Sequence, residues 1–161
     1  MDPHGGDHGR MIDFTLNGAA VEHAPEGTLL QALRGALGLN GAKFGCGEES
    51  CGACHVLLDG QSVPSCALPV EAVAGRRVVT LEGLGTRAAP HPLQRAFLDE
   101  QAGQCGFCLP GIIVTASAVL RENPSPDEDA LREALDGHLC RCGSHNRILR
   151  AILRAAEEMR A

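Results

Sequence analysis

The rhythm of apolar and polar positions changes once along this chain. Up to about residue 85 the apolar residues come in short alternating runs. In "IDFTLNGAAVEH" they alternate on both sides of Asn17-Gly18, which is the pattern of a hairpin closed by a tight turn. "HVLLDGQSVPSCAL" repeats the arrangement around Asp59-Gly60, and "RRVVTLEGL" supplies one more strand. Between the hairpins, Thr28 and Gln31 have the spacing of a capping box and open a short helix through "LLQALRGAL". Hairpin, helix, loop, hairpin and strand together predict an α+β unit with the helix lying across a small mixed sheet.

Past "GTRAAPHP" the period becomes helical. One helix is expected over residues 93–102. Pro110 is placed to be the first helical residue of "PGIIVTASAVLREN". Ser125, Pro126 and Glu128 give a capped start to a third helix over 126–136. From Asn146 onward, Ile148, Leu149, Ile152, Leu153 and Ala156 share one face of a fourth. Four helices with short connections predict a bundle. The expected organisation is a disordered leader at 1–10, an α+β domain at 11–85, a linker at 86–91 and a helical domain at 92–161. His4 and His8 are read as part of the solvated leader.

Composition alters this picture in one respect. Two domains cut from 161 residues have modest cores, and the only aromatics are four Phe. Domains of that size lean on a metal or a cross-link. A formal net charge of -6 argues against nucleic acid as a partner, because affinity there comes from cations neutralising phosphates. No apolar run approaches the length of a membrane span. The start, "MDPHGGDHGR", has no apolar core of a secretory signal, so a cytoplasmic location is expected, or a periplasmic one if a partner carries the signal. Eight cysteines in such a chain point to metal rather than to disulfides.

Those cysteines fall into two groups. Cys46, Cys51, Cys54 and Cys66 are spaced C-x4-C-x2-C-x11-C, and the first part of that spacing is the plant-type [2Fe–2S] pattern. Gly45, Gly47 and Gly52 let the loop curl so that backbone N–H groups face an anionic cluster. Zinc and disulfides are the competing readings. Structural zinc favours two short Cys knuckles, whereas this group holds one, and a disulfide pair has no use for the glycines. In the second group, Cys105 and Cys108 precede the helix opened by Pro110, and Cys140 and Cys142 precede the last helix. Helix N-termini stabilise thiolates, and two helical hairpins packed side by side bring both ends to one place. A four-Cys zinc site stays open at this point. A Cys140–Cys142 disulfide would be strained by its short loop.

The motifs "GCGEESCGAC", "QCGFCLPG" and "LCRCG" together resemble the small iron–sulfur subunits of the molybdenum hydroxylases. That family contains xanthine dehydrogenases, aldehyde oxidoreductases and bacterial heterocycle dehydrogenases. The resemblance covers about residues 11–160. It implies a plant-type ferredoxin domain of β-grasp fold, then a four-helix [2Fe–2S] domain. It also implies a large partner subunit with molybdenum on a pterin, in its cytosine dinucleotide form. There an N-heteroaromatic or aldehyde substrate is hydroxylated with oxygen from water. Many members follow the last cysteine with Thr-Gly-Tyr, whereas this chain has Gly143, Ser144 and His145. That form is closer to the isoquinoline and nicotinate dehydrogenase type and to some bacterial aldehyde dehydrogenases. His55 likewise replaces a frequent Thr after Cys54.

By the same resemblance Gln104 hydrogen-bonds the partner's pterin and Cys142 lies close to it. Electrons then pass from the Cys105/Cys108/Cys140/Cys142 cluster to the Cys46/Cys51/Cys54/Cys66 cluster. A cytochrome c, a flavin subunit or an external carrier receives them. His138, Arg141 and His145 flank or interrupt the last motif, where they tune the cluster or serve structure and interface. No Rossmann fingerprint, P-loop or spare cysteine nucleophile is present in the sequence, so no residue is assigned to substrate activation. A free-standing two-cluster ferredoxin and a zinc-stabilised interaction module are the alternatives from other classes.

Overall fold

Residues 11–161 are described by the computed structural model, so the leader expected over 1–10 lies outside the described residues. Strands β1 (Ile12–Leu16) and β2 (Ala19–His23) pair antiparallel around Asn17 and Gly18, whose φ values of 51° and 86° are those of a tight primed turn. Strands β3 (His55–Leu58) and β4 (Gln61–Pro64) do the same around Asp59 and Gly60, at 50° and 91°. Strand β5 (Arg77–Val79) joins the two hairpins, pairing parallel to β1 and antiparallel to β3. The sheet order is β2-β1-β5-β3-β4, a mixed five-stranded sheet.

Helix α1 (Leu29–Arg34) begins with the expected Thr28–Gln31 capping box. It is shorter than "LLQALRGAL" predicts, because the backbone leaves helical geometry at Gly35, where ψ is -101°. Leu29, Leu30 and Leu33 pack under the sheet with Phe14, Val56 and Val78, and a 3-10 turn at Val70–Val73 completes that core.

"RRVVTLEGL" is only partly a strand. It leaves the sheet after Val79, and Leu81–Leu84 form a short helix, α2. The cause is Asn17. Its Oδ1 accepts the Thr80 N–H (2.9 Å) and its Nδ2 donates to Thr80 Oγ1 (3.0 Å), which replaces the next rung of the ladder.

Four longer helices follow. Helix α3 (Pro92–Asp99) is capped by His91, whose Nδ1 accepts the Leu93 N–H (3.2 Å) while Gln94 Oε1 accepts the His91 N–H (2.9 Å). It ends before the predicted residue 102, where Gln101 turns to a φ of 47°. Helix α4 (Leu109–Glu122) starts one residue ahead of Pro110. Helix α5 (Glu128–Ala134) is capped by Asp127, which accepts the Ala130 N–H (2.8 Å), and not by Ser125. Ser125 Oγ is occupied by Arg160 at 2.6 Å. Helix α6 is His145–Arg160. Among the described residues no helix is long and apolar enough to cross a membrane.

Helix α4 is the element shared by both halves. Its sequence is apolar nearly all round, as suits a helix buried on several sides. Ile112, Ala116 and Leu120 enter a core with Leu93, Leu131, Ile148 and Ile152. Val114 and Ala118 face the sheet at Leu57. Ile112→Ala is therefore expected to cost about 2–5 kcal/mol. Leu98→Ala, at a position 75 % exposed, should leave the denaturation midpoint nearly unchanged. Chemical denaturation of the loaded protein, followed by circular dichroism, compares the two.

Candidate metal centres

Three members of the first thiol group, Cys46, Cys51 and Cys54, stand on the loop between α1 and β3, and the fourth, Cys66, follows β4. Exposed Cys46 has its Sγ facing the N–H groups of Glu48 and Ser50, each at 3.3 Å. The Glu48 N–H, followed by that of Ser50, draws its thiol down to about 7. The Cys46 N–H in turn points at Cys51 Sγ, 3.4 Å away. Gly45 makes room for this sulfur, since a Cβ there would lie 2.7 Å from it. Cys54 and Cys66 form the second, inner pair. Both are buried, their thiols lie beside each other, and burial, foremost, pushes the Cys54 thiol up to about 11. Ser65 holds the inner pair in place by donating to the Cys54 carbonyl at 2.7 Å.

The second group is drawn together from two helix starts. Cys108 is the N-cap residue of α4, and Cys140 and Cys142 occupy the turn before α6. Cys105 and Cys142 are 3.5 Å apart, sulfur to sulfur, while the thiols of Cys108 and Cys140 lie beside each other. The Phe107 N–H, acting most strongly, lowers the exposed Cys105 thiol. Burial pushes Cys108 up to about 12. At Cys140 burial works upward, but N–H groups led by that of Ser144 outweigh it, and the thiol is lowered.

Both groups thus consist of two close thiol pairs. Among the described residues no three His, Cys, Asp or Glu side chains gather as ligands of a single metal ion. Paired thiols, one pair per iron, fit a two-iron centre better than one tetrahedral zinc. Backbone N–H groups aimed at the exposed sulfurs suit an anionic cluster as well.

The family profile for a 2Fe-2S iron-sulfur cluster binding domain matches residues 14–78, and that for a [2Fe-2S] binding domain matches residues 80–153. The nicotinate dehydrogenase of Pseudomonas putida has a small component, its A subunit, that is 52 % identical over 151 residues, covering 92 % of this chain and 96 % of that one. The alpha subunit of isoquinoline 1-oxidoreductase from Brevundimonas diminuta is 48 % identical, covering 92 % and 99 %. The chain belongs to the small [2Fe–2S] subunits of the molybdenum hydroxylases. The crystal structure of the aldehyde oxidoreductase from Desulfovibrio desulfuricans superposes with a TM-score of 0.89 at 39 % identity. That match covers 93 % of this chain but 17 % of the larger one. As a small subunit of this family the chain is the electron-transfer part of an oxidoreductase complex, and its two matched domains are those that bind [2Fe–2S] clusters.

Other residues singled out in the sequence of this iron–sulfur protein take distinct places. Gln104 is exposed beside the second group and donates from Nε2 to the Cys142 carbonyl (3.1 Å). Among the described residues its Oε1 has no partner. Arg141 is exposed, and among the described residues it has no ion pair. His145 opens α6 and lines a cavity of about 270 Å³ with His138, Arg132 and Asp136. His138 itself is 4 % exposed, and burial, with His55 and His145 nearby, lowers its pKa to about 4. Ser62, Thr115 and Gly111, which surround His55 and Gly52, were missed by sequence reasoning, since no spacing links them to the cysteines.

Gly45→Ala tests the close approach directly. The added methyl must displace Cys51 Sγ, so the visible and paramagnetic signals of one cluster should shift or vanish while those of the other persist. Signals unchanged in both would show that the loop yields without cost.

Proposed function

We propose that Cys46, Cys51, Cys54 and Cys66 hold one [2Fe–2S] cluster, and Cys105, Cys108, Cys140 and Cys142 the other, in a ferredoxin-type β-grasp domain (11–85) and a four-helix domain (92–161) joined by the linker at 86–91. The observation that carries the assignment is the arrangement of all eight thiols as two sets of two close pairs. Each cluster, when bound, takes up and gives back one electron. This chain's residues supply the rest. Thiolates neutralise the irons, N–H groups of Glu48, Ser50, Phe107 and Ser144 face the sulfurs, and the two cores fix where each set sits.

The substrate pocket belongs to a large partner carrying a molybdenum–pterin group. The names of the nicotinate and isoquinoline relatives favour an N-heteroaromatic substrate. In the net reaction RH and water give ROH, two protons and two electrons, and this chain conducts the electrons onward one at a time. Gln104 marks the face turned toward the partner. Its amide joins the Cys142 carbonyl on one side and leaves Oε1 for a polar pterin edge. Cys142 is then the ligand nearest the pterin. Electrons leave through the first group to a flavin subunit or a cytochrome c.

The purified protein should be red-brown and contain about four irons and about four acid-labile sulfides per chain. Stoichiometric zinc without labile sulfide, in protein prepared anaerobically, would sink the assignment. In the assembled complex, Gln104→Ala should keep both clusters and their reduction by dithionite while slowing their reduction by substrate. Wild-type rates of substrate-driven reduction would remove Gln104 from the electron path.

A further inference from the structure

The loops carrying the two thiol groups touch, and they do so through an unusual pair of rings. His138 lies two residues before Cys140, and its ring rests on Gly52, between Cys51 and Cys54. A Cβ at Gly52 would fall 2.2 Å from His138 Nδ1 and 2.7 Å from Cγ. The same ring meets His55, the residue after Cys54, edge to face, with centroids 4.7 Å apart and planes at 62°. His55 is itself fixed. Its Nδ1 is hydrogen-bonded to Ser62 Oγ (2.8 Å) and Thr115 Oγ1 (3.2 Å), and these two hydroxyls are 2.6 Å apart. Ser62 stands on β4 and Thr115 on α4, so the ring pair is anchored in both halves.

Burying an imidazole at position 138 carries a cost. The residue is only 4 % exposed, and Nδ1 has no hydrogen-bond partner among the described residues, which is unfavourable. What the imidazole offers is its size. The ring fills the space that any side chain at position 52 would need, so the two positions are matched in size. Helix α4 closes Gly52 from another side, since a Cβ at Gly111 would lie 2.0 Å from the Gly52 carbonyl oxygen. A hydrogen bond from the Leu139 N–H to the Cys51 carbonyl, 3.1 Å, also ties the two loops.

We propose that the His55–His138 ring contact is a strut that sets the separation of the two metal centres, with His138 as a positioning residue for electron passage between them. The inference rests on the ligand assignment above. Passage between two centres falls steeply with their separation, and the ring contact lies where the two cysteine-bearing loops meet.

The test uses the full-length protein carrying both clusters. On complete reduction, two neighbouring paramagnets split each other's resonances, and electron paramagnetic resonance reads that mutual splitting independently of turnover. His138→Ala should change the splitting while iron content and the spectrum of each cluster reduced singly stay as in the wild type. His55→Phe, which keeps a ring at that position and removes Nδ1, should retain wild-type splitting. Wild-type splitting in His138→Ala with both clusters present overturns the strut. Changed splitting in His55→Phe also overturns it, because the role would then belong to the hydroxyl hydrogen bonds. Should His138→Ala lose a cluster, His55→Thr, at a half-buried strand position, decides: changed splitting supports the proposal and unchanged splitting overturns it. A wild-type protein without two clusters fails earlier, at the ligand assignment, and is recognised by its iron content.

Discussion

The burial of helix α4 against both the sheet and the other helices is the constraint on which the rest of this structure depends. A helix of this length gains most of its stability from packing rather than from its own hydrogen bonds. Here one surface, Val114 and Ala118, is taken by Leu57 of the sheet, and another, Ile112, Ala116 and Leu120, by the helical core. The N-cap residue of α4 is Cys108, its second turn carries Thr115 to the His55 hydroxyl cluster, and Gly111 between them seats on Gly52. One packing decision thereby places a member of the second thiol group and the floor of the first.

Within that frame the two groups share an electrostatic design. Each has outer thiols eased toward the thiolate by backbone N–H groups, as at Cys46 and Cys105, and inner thiols that burial holds protonated, as at Cys54 and Cys108. A metal that binds such a set displaces protons from the inner sulfurs and supplies the positive charge their surroundings lack. The outer sulfurs bear the exposed edge of each site, which is where a redox partner has to approach.

Much of this was legible in the sequence, for reasons that differ from element to element. Asn-Gly and Asp-Gly turns announce their hairpins because the required backbone conformation restricts residue choice, and both stand where expected. The cysteine spacings are local and specific, and helix starts after Cys108 and Cys142 made the convergence of the second group inferable. What failed was set by contacts distant in sequence. "LEGL" continues an alternating run, yet Asn17, 63 positions away from Thr80, takes the backbone group that would have extended the strand. Ser125 and Asp127 are both good caps, and a long-range bond from Arg160 to Ser125 separates them. The meeting of His55 and His138 has no period at all, since it depends on how two loops and α4 come together.

The position of β5 has a consequence for how the chain is made. It is the last strand in sequence and the middle one in the sheet, flanked by β1 and β3. Each hairpin can form alone as it leaves the ribosome, but the two have no shared edge until residues 77–79 arrive between them. By then Cys46 through Cys66 have all been synthesised. Biosynthesis therefore completes the first group of cysteines before the strand that joins the two hairpins into one sheet has been made.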